Sequence, residues 1–201
     1  METAIVKKNG IAMMVSVLKK GGIIIFPTET SYGIGADALD RKAILKVHNV
    51  KKQPTDKPIS IIVPDIKTAE KFGEMGATAK KLVKKFMPGP FTLIVKKQKT
   101  VPNILSRKTM AFRISSDKTA DSIARKFGSA ITATSANIHG EQPIYSFRKA
   151  VEVFGGRVDL IVDAGNLRKR RASTIYDLAR GKVLRNGPIS GKEIERIVAG
   201  K

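Results

Sequence analysis

Apolar residues along this chain occur partly at helical spacing and partly in short continuous runs, a pattern typical of helices mixed with buried strands. Ile11, Met14, Val15 and Leu18 recur at helical spacing, and the glycine pair at residues 21–22 predicts the end of that helix. The run IIIF at residues 23–26 then predicts a buried strand. Five polar side chains follow at residues 28–32, where a core strand would have no use for them.

The same two patterns continue to the end of the chain. Further strands are predicted at ISIIV (59–63), FTLIV (91–95), MAFRI (110–114), AITAT (130–134) and VDLIVD (158–163). STIYDL and KVLRN flank ARG as a predicted hairpin at residues 173–186. Helices are predicted after the caps Asp40, Asp117 and Ser146, around Ala69 and Phe72, around Leu82, Val83 and Phe86, and after the Ser190/Glu193 capping box. This order predicts an α/β fold: one domain over residues 1–201 with a mixed sheet flanked by helices.

Charge is the most unusual feature of the composition. The 201 residues hold 38 Lys and Arg against 17 Asp and Glu, a net charge of +21 with a pI near 10.3. This excess indicates a polyanionic substrate or partner, although a basic proteome or a solubility device would also produce it. The excess is spread along the chain, which favours a charged face on a folded body.

Residue types and patterns that the sequence lacks limit the possible chemistry and the expected location of the protein. No cysteine is present, so we expect neither a disulfide framework nor a thiolate nucleophile. The first ten residues carry charge instead of a signal peptide's apolar core, and no apolar run approaches the ~20 residues of a membrane span. A cytoplasmic location is the simplest expectation.

Familiar catalytic motifs fail on their spacing. Six residues separate the strand from the glycines of GIGADA, too many for a dinucleotide fingerprint, and GPISGK is one residue short of a phosphate-binding loop. His48 and His139 are the only histidines, and no Asp or Glu cluster has metal-ligand spacing. We expect His48 to be packed at a helix end and predict no metal site and no covalent nucleophile. Any chemistry should therefore depend on positioning and charge.

Polar residues at predicted strand ends indicate where that chemistry takes place. They are found in PTETSYG (27–33), at Arg113, in TATSAN (132–137) and in RRASTIYD (170–177). Any one of these four polar sites could be explained by helix caps and turns. Together they favour a pocket for a small polar substrate beside phosphates, because hydroxyl groups both donate and accept hydrogen bonds.

The motifs PTETSYGIG, KKQP with KPISIIV, PGPFT, TSANIHG, ASTIYD and RNG occur in this order over residues 21–187. The ordered set resembles the YrdC family, threonylcarbamoyl-AMP synthases. The resemblance implies a twisted mixed sheet with a basic concave face, and a short-form member without an additional C-terminal domain. It also implies a nucleotidyltransferase that makes threonylcarbamoyl-AMP and pyrophosphate from L-threonine, bicarbonate and ATP. A separate transferase would then modify the tRNA adenosine next to the anticodon.

The resemblance also implies roles for individual residues. Threonine would be held by Thr30, Arg113, Ser135 and Ser173, with Arg113 binding its carboxylate. ATP, with its Mg²⁺, would be held by Lys51, Gln53, Lys57, Asn137 and Arg185.

Three positions depart from the family pattern. Gln53 stands where arginine is usual, Ser115 replaces a proline, and His139 replaces a serine. Gln53 removes a cation from the expected phosphate site, and Lys52 or Lys57 would have to supply it. 

The alternative function is non-catalytic RNA binding through the basic face, including RKRR at residues 168–171. The enzyme is favoured over it because the eight Phe and three Tyr residues form no aromatic-rich RNA-binding signature.

Overall fold

The protein combines two mixed β-sheets with helices. The structure, a computed structural model, describes residues 2–200. One sheet has the order β1 (Ala4–Lys7), β9 (Leu160–Asp163), β2 (Ile24–Pro27), β3 (Tyr32–Gly35) and β8 (Thr134–Ser135). The other has the order β11 (Lys182–Arg185), β10 (Thr174–Asp177), β5 (Phe91–Lys96), β6 (Thr109–Arg113), β4 (Ile61–Ile62) and β7 (Ile131–Thr132). The predicted α/β class is confirmed, and its strands are divided between these two sheets.

Most helices begin after a residue whose side chain caps the first turn, and two follow the glycines Gly10 and Gly76, which have no side chain to do so. Their bounds are α1 (Ile11–Lys19), α2 (Arg41–Lys51), α3 (Ile66–Glu70), α4 (Ala77–Phe86), α5 (Lys118–Phe127), α6 (Phe147–Phe154) and α7 (Gly191–Val198). Asp40, Asp117, Ser146 and Ser190 all accept hydrogen bonds from backbone N–H groups of the first turn, as predicted.

Buried apolar side chains form two clusters. In the smaller cluster, Met14 and Leu18 of α1 and Ile123 of α5 lie with Ile24 and Phe26 of β2. The larger cluster contains residues of both sheets, including Tyr32, Phe91 and Phe112. Burial of these apolar faces is the main force that keeps the sheets and helices together.

Two strands escaped the sequence patterns. β1 is an exposed edge strand that pairs in parallel with β9, so it carries no buried alternation to detect. β3 contains two glycines, which are rare in strands, yet it pairs antiparallel with β2. Gly35 is needed there because a Cβ would lie 2.9 Å from the Phe26 ring. 

The predicted run at residues 130–134 is divided between the sheets, with Ile131 and Thr132 in β7 and Thr134 in β8. Within residues 2–200, no helix is both long and apolar enough to cross a membrane.

Candidate active site

The polar residues after β2 form a tight turn into β3. Thr28 Oγ1 accepts from the backbone N–H groups of Thr30 and Ser31 at 3.2 and 3.3 Å. It also donates to the Ser31 carbonyl at 2.8 Å. Thr28 therefore holds the turn at residues 28–31 in shape, and its neighbour Thr30 faces an adjacent cavity.

This cavity has a volume of about 320 Å³ and is lined by residues of both sheets. All four residues predicted to hold threonine, Thr30, Arg113, Ser135 and Ser173, line it. Arg185, predicted to hold ATP, lines it as well. The cavity walls thus combine hydroxyl groups with guanidinium groups, which suits a small ligand that carries a negative charge.

Arg113 is the last residue of β6, and its side chain is only 10% exposed. Its Nη1 lies 3.4 Å from Oε1 of Glu29, an ion pair whose geometry gives that oxygen no hydrogen bond. Within residues 2–200 the Arg113 side chain makes no hydrogen bond. Its N–H donors are therefore available to a ligand.

Arg185 is fixed more firmly. Its Nε donates to the Ser173 carbonyl at 2.9 Å, and its Nη2 donates to Ser173 Oγ at 2.7 Å. Ser173 Oγ also lies 2.9 Å from Thr92 Oγ1. Burial, and then the charge of Arg113, lower the pKa of Arg185. The two guanidinium groups are thus near enough to repel each other, and an anion between them would relieve that repulsion.

Two other predicted residues, Lys51 and Asn137, form a hydrogen-bond network with Ser135. Lys51 Nζ donates to the carbonyls of Ser135 at 2.5 Å and Asn137 at 3.0 Å. The Asn137 side-chain oxygen accepts from Ser135 Oγ at 2.5 Å. Burial, followed by the charge of Lys57, lowers the pKa of Lys51 to about 8. Lys51 and Asn137 do not line the 320 Å³ cavity, and they contact its wall through Ser135.

Two of the three departures from the family pattern lie around Lys57. Gln53 Nε2 donates to the Lys57 carbonyl at 3.4 Å, and Lys57 Nζ lies 3.3 Å from Nδ1 of His139. Gln53 is buried, whereas Lys57 and His139 are exposed. Neither Gln53 nor Lys57 lines the 320 Å³ cavity, so the structure brings the ATP set together only in part.

The third departure, Ser115, contacts the turn. Its Oγ donates to Oε2 of Glu29 at 2.5 Å. Sequence reasoning did not single out Glu29, although it is adjacent to Thr30. It assigned no role to Thr92 of PGPFT or to Arg170 of RRASTIYD, and it missed Tyr145, which no motif contains; all three line the cavity. His48 is buried, with Nε2 3.3 Å from the Ile104 carbonyl, so its predicted packing role is confirmed.

Most of the chain matches a known protein family. A family model named Sua5/YciO/YrdC, with the description telomere recombination, matches residues 16–187. The chain belongs to this family. 

Family members from several organisms are similar over most of the chain. A putative threonylcarbamoyl-AMP synthase of Methanocaldococcus jannaschii is 33% identical, over 94% of this chain and 91% of the relative. The threonylcarbamoyl-AMP synthase of Pyrococcus abyssi is also 33% identical, over 90% of this chain but 55% of its own length. The chain therefore spans about half the length of the Pyrococcus relative.

Solved structures of the Sua5/YciO/YrdC family share the fold. The P. abyssi Sua5 structure complexed with L-threonine matches with a TM-score of 0.90 and 31% identity, covering 98% of this chain and 61% of that chain. E. coli YciO matches with a TM-score of 0.85 over 96% of this chain and 98% of that chain. At 24% identity the YciO match shows the fold alone.

Proposed function

We propose that this protein synthesises threonylcarbamoyl-AMP and pyrophosphate from L-threonine, bicarbonate and ATP. The observation that carries the proposal is Arg113, a nearly buried guanidinium on a cavity wall without a hydrogen-bond partner in residues 2–200. Buried polar groups in proteins are hydrogen-bonded in the great majority of cases, so unused donors facing a cavity indicate a ligand. A planar fork of N–H groups fits a carboxylate. The homologues named threonylcarbamoyl-AMP synthase and the L-threonine complex of P. abyssi Sua5 support threonine as that ligand.

The cavity residues have separate tasks in this reaction. Arg113 binds the threonine carboxylate, while Thr30, Ser135 and Ser173 surround the rest of the amino acid. The threonine nitrogen attacks the bicarbonate carbon, and loss of water leaves a carbamate. A carbamate oxygen then attacks the α-phosphorus of ATP, and pyrophosphate leaves. The protein supplies alignment, exclusion of water and positive charge, and it forms no covalent intermediate.

The nucleotide is placed next to the amino acid. Arg185 already lines the cavity, and Lys51 and Asn137 stabilise the segment that presents Ser135. The exposed Lys57, whose carbonyl accepts from Gln53, would add positive charge for the ATP phosphates. Within residues 2–200, no group of three or more His, Asp or Glu side chains is placed to hold a metal ion. Mg²⁺ would therefore arrive as part of the substrate, on the ATP phosphates.

The product would be consumed in the cytoplasm by a separate transferase that modifies the tRNA adenosine next to the anticodon. The RNA-binding alternative makes a different prediction, namely that the protein retains RNA but releases no pyrophosphate from ATP.

Pyrophosphate release tests the proposal. It should require threonine and bicarbonate together, and omission of either should reduce it to background. Arg113→Lys keeps the charge but loses the fork, so the KM for threonine should rise while the KM for ATP holds. Arg125→Lys, on the exposed side of α5, is the matched control. Release that proceeds equally without threonine would overturn the proposal.

A further inference from the structure

Glu29 pairs with Arg113 and is itself held in place by a hydrogen bond from Ser115. Its side chain is 6% exposed, and Oε1 lies 3.4 Å from Arg113 Nη1 without receiving a hydrogen bond. Oε2 accepts from Ser115 Oγ at 2.5 Å, and Ser115 is 1% exposed. Ser115 Oγ in turn accepts from the backbone N–H of Asp117 at 3.2 Å. The carboxylate is thus anchored through one oxygen and faces the guanidinium with the other.

This arrangement attracts Arg113 without consuming its donors. The pair is close enough for strong charge attraction, and burial limits its screening by salt. Glu29 does not line the 320 Å³ cavity, whereas Arg113 does. The carboxylate therefore acts from outside the cavity, and the N–H fork stays available inside it.

A second guanidinium makes this attraction necessary. The charge of Arg113 contributes to the lowered pKa of Arg185, so the two groups repel each other across the cavity. Within residues 2–200, Arg113 has a carboxylate within 4.0 Å and Arg185 has none. Without Glu29, Arg113 would lose the neighbouring carboxylate that opposes this repulsion.

We propose that Glu29 is a positioning residue that orients Arg113 for the substrate carboxylate, and that the Ser115 hydroxyl fixes Glu29 in that role. The proposal rests on the proposed function, in which Arg113 binds threonine. It also gives a role to Ser115, which stands where the family resemblance predicts proline, a residue that has no side-chain donor.

Glu29→Gln tests the proposal because it keeps the shape and removes the charge. The KM for threonine should rise about tenfold to a hundredfold, the span of one charge-assisted hydrogen bond, with the KM for ATP changed less than about twofold. Ser115→Ala should raise the KM for threonine in the same direction but by less. Glu74→Gln, which removes an equal charge from the exposed pair with Lys96, should change neither constant.

A purely structural ion pair would give a different result. Glu29→Gln would then lower the melting temperature and kcat while leaving the KM for threonine within about twofold of the parent, and that outcome would overturn the proposal. Combination with Arg113→Gln adds a second criterion. If Glu29 acts through Arg113, the two effects on kcat/KM for threonine should be strongly non-additive, and full additivity would contradict the proposal.

Direct threonine binding by calorimetry separates this inference from the proposed function. If the parent protein binds threonine but releases no pyrophosphate, the proposed function fails, and the affinities of Glu29→Gln and Ser115→Ala still test the positioning role. If the parent binds threonine and both variants bind it equally well, the positioning role fails while the proposed function stands.

Discussion

Lys57 links two of the residues that depart from the family pattern. Its carbonyl accepts from Gln53 Nε2, and its ammonium lies 3.3 Å from His139 Nδ1. An ammonium can donate to an unprotonated ring nitrogen, so His139 gives this exposed lysine a preferred direction. A directed lysine can replace the charge of the missing arginine, although without its planar fork.

If Lys57 supplies the charge, substitutions at positions 53 and 57 should have unequal effects. Lys57→Ala should raise the KM for ATP about tenfold, the value of one charge-assisted hydrogen bond, whereas Gln53→Arg should change it less than about threefold. Lys52→Ala, at the exposed end of α2, is the control and should have little effect. A several-fold gain from Gln53→Arg, with Lys57→Ala silent, would mean that the site lacks a cation.

Lys51 predicts a dependence on pH. Burial, and then the charge of Lys57, lowers its pKa from the ordinary 10.5 to about 8, so the ammonium is charged below that pH and neutral above it. If this charge serves ATP, kcat/KM for ATP should fall above pH ~8, because that constant reports the free enzyme. Lys51→Met should flatten the profile at a low rate, and Lys84→Met on α4 should keep the parent shape. A parent profile that stays level to pH ~9.5 would contradict a role for the Lys51 charge.

At the scale of elements, the turn between β2 and β3 presents Thr30 to the cavity. Thr28→Val keeps the shape of that side chain and removes the four hydrogen bonds that its hydroxyl group makes within the turn. The loss should lower the free energy of unfolding by about 1–3 kcal/mol, because buried N–H groups stay unsatisfied. It should also raise the KM for threonine, since Thr30 loses its support.

Thr30→Val is the matched variant for this turn. Thr30 lines the cavity, and its hydroxyl lies 3.1 Å from Thr28 Oγ1. Its replacement should raise the KM for threonine with a smaller loss of stability, measured by denaturant unfolding. Equal stability of Thr28→Val and the parent would show that Thr28 does not support the turn.

Capping residues and apolar runs in the sequence were sufficient to predict most helices and strands. The α2 and α5 helices follow aspartate caps, and four of the six residues of β5 are large and apolar. β3 was not predicted because its two glycines disfavour a strand, and β2 on one side and β8 on the other hold it in the sheet. Tertiary pairing of this kind leaves no local pattern.

In the candidate site, too, the sequence indicated some residues but not the long-range contacts between them. Arg113 was noticeable because it is a charged residue on an apolar strand, and its predicted neighbours Thr30, Ser135 and Ser173 line the same cavity. Their roles in binding threonine stay predictions. The Ser115–Glu29 contact joins residues 86 positions apart, and no local spacing indicates it.

At the scale of the whole molecule, the cavity takes residues from both sheets. Ser135 belongs to β8 of the five-stranded sheet, whereas Arg113 and Arg185 end β6 and β11 of the six-stranded sheet. Arg170 lines this cavity and also an adjoining open cavity of about 710 Å³. In the larger cavity Arg170 and three more basic residues, Lys8, Lys118 and Arg168, outnumber the acidic Glu29 and Asp117. Positive charge around the cavity favours entry of an anionic nucleotide.

Isotope incorporation tests most directly whether this protein joins ATP, L-threonine and bicarbonate into threonylcarbamoyl-AMP with release of pyrophosphate. The protein is incubated with ATP, L-threonine and ¹³C-bicarbonate, and the products are analysed by mass spectrometry. We expect threonylcarbamoyl-AMP that carries the heavy carbon, formed in amounts equal to those of pyrophosphate. Pyrophosphate accompanied by AMP alone, or no adenylate product at all from correctly folded protein, would contradict it.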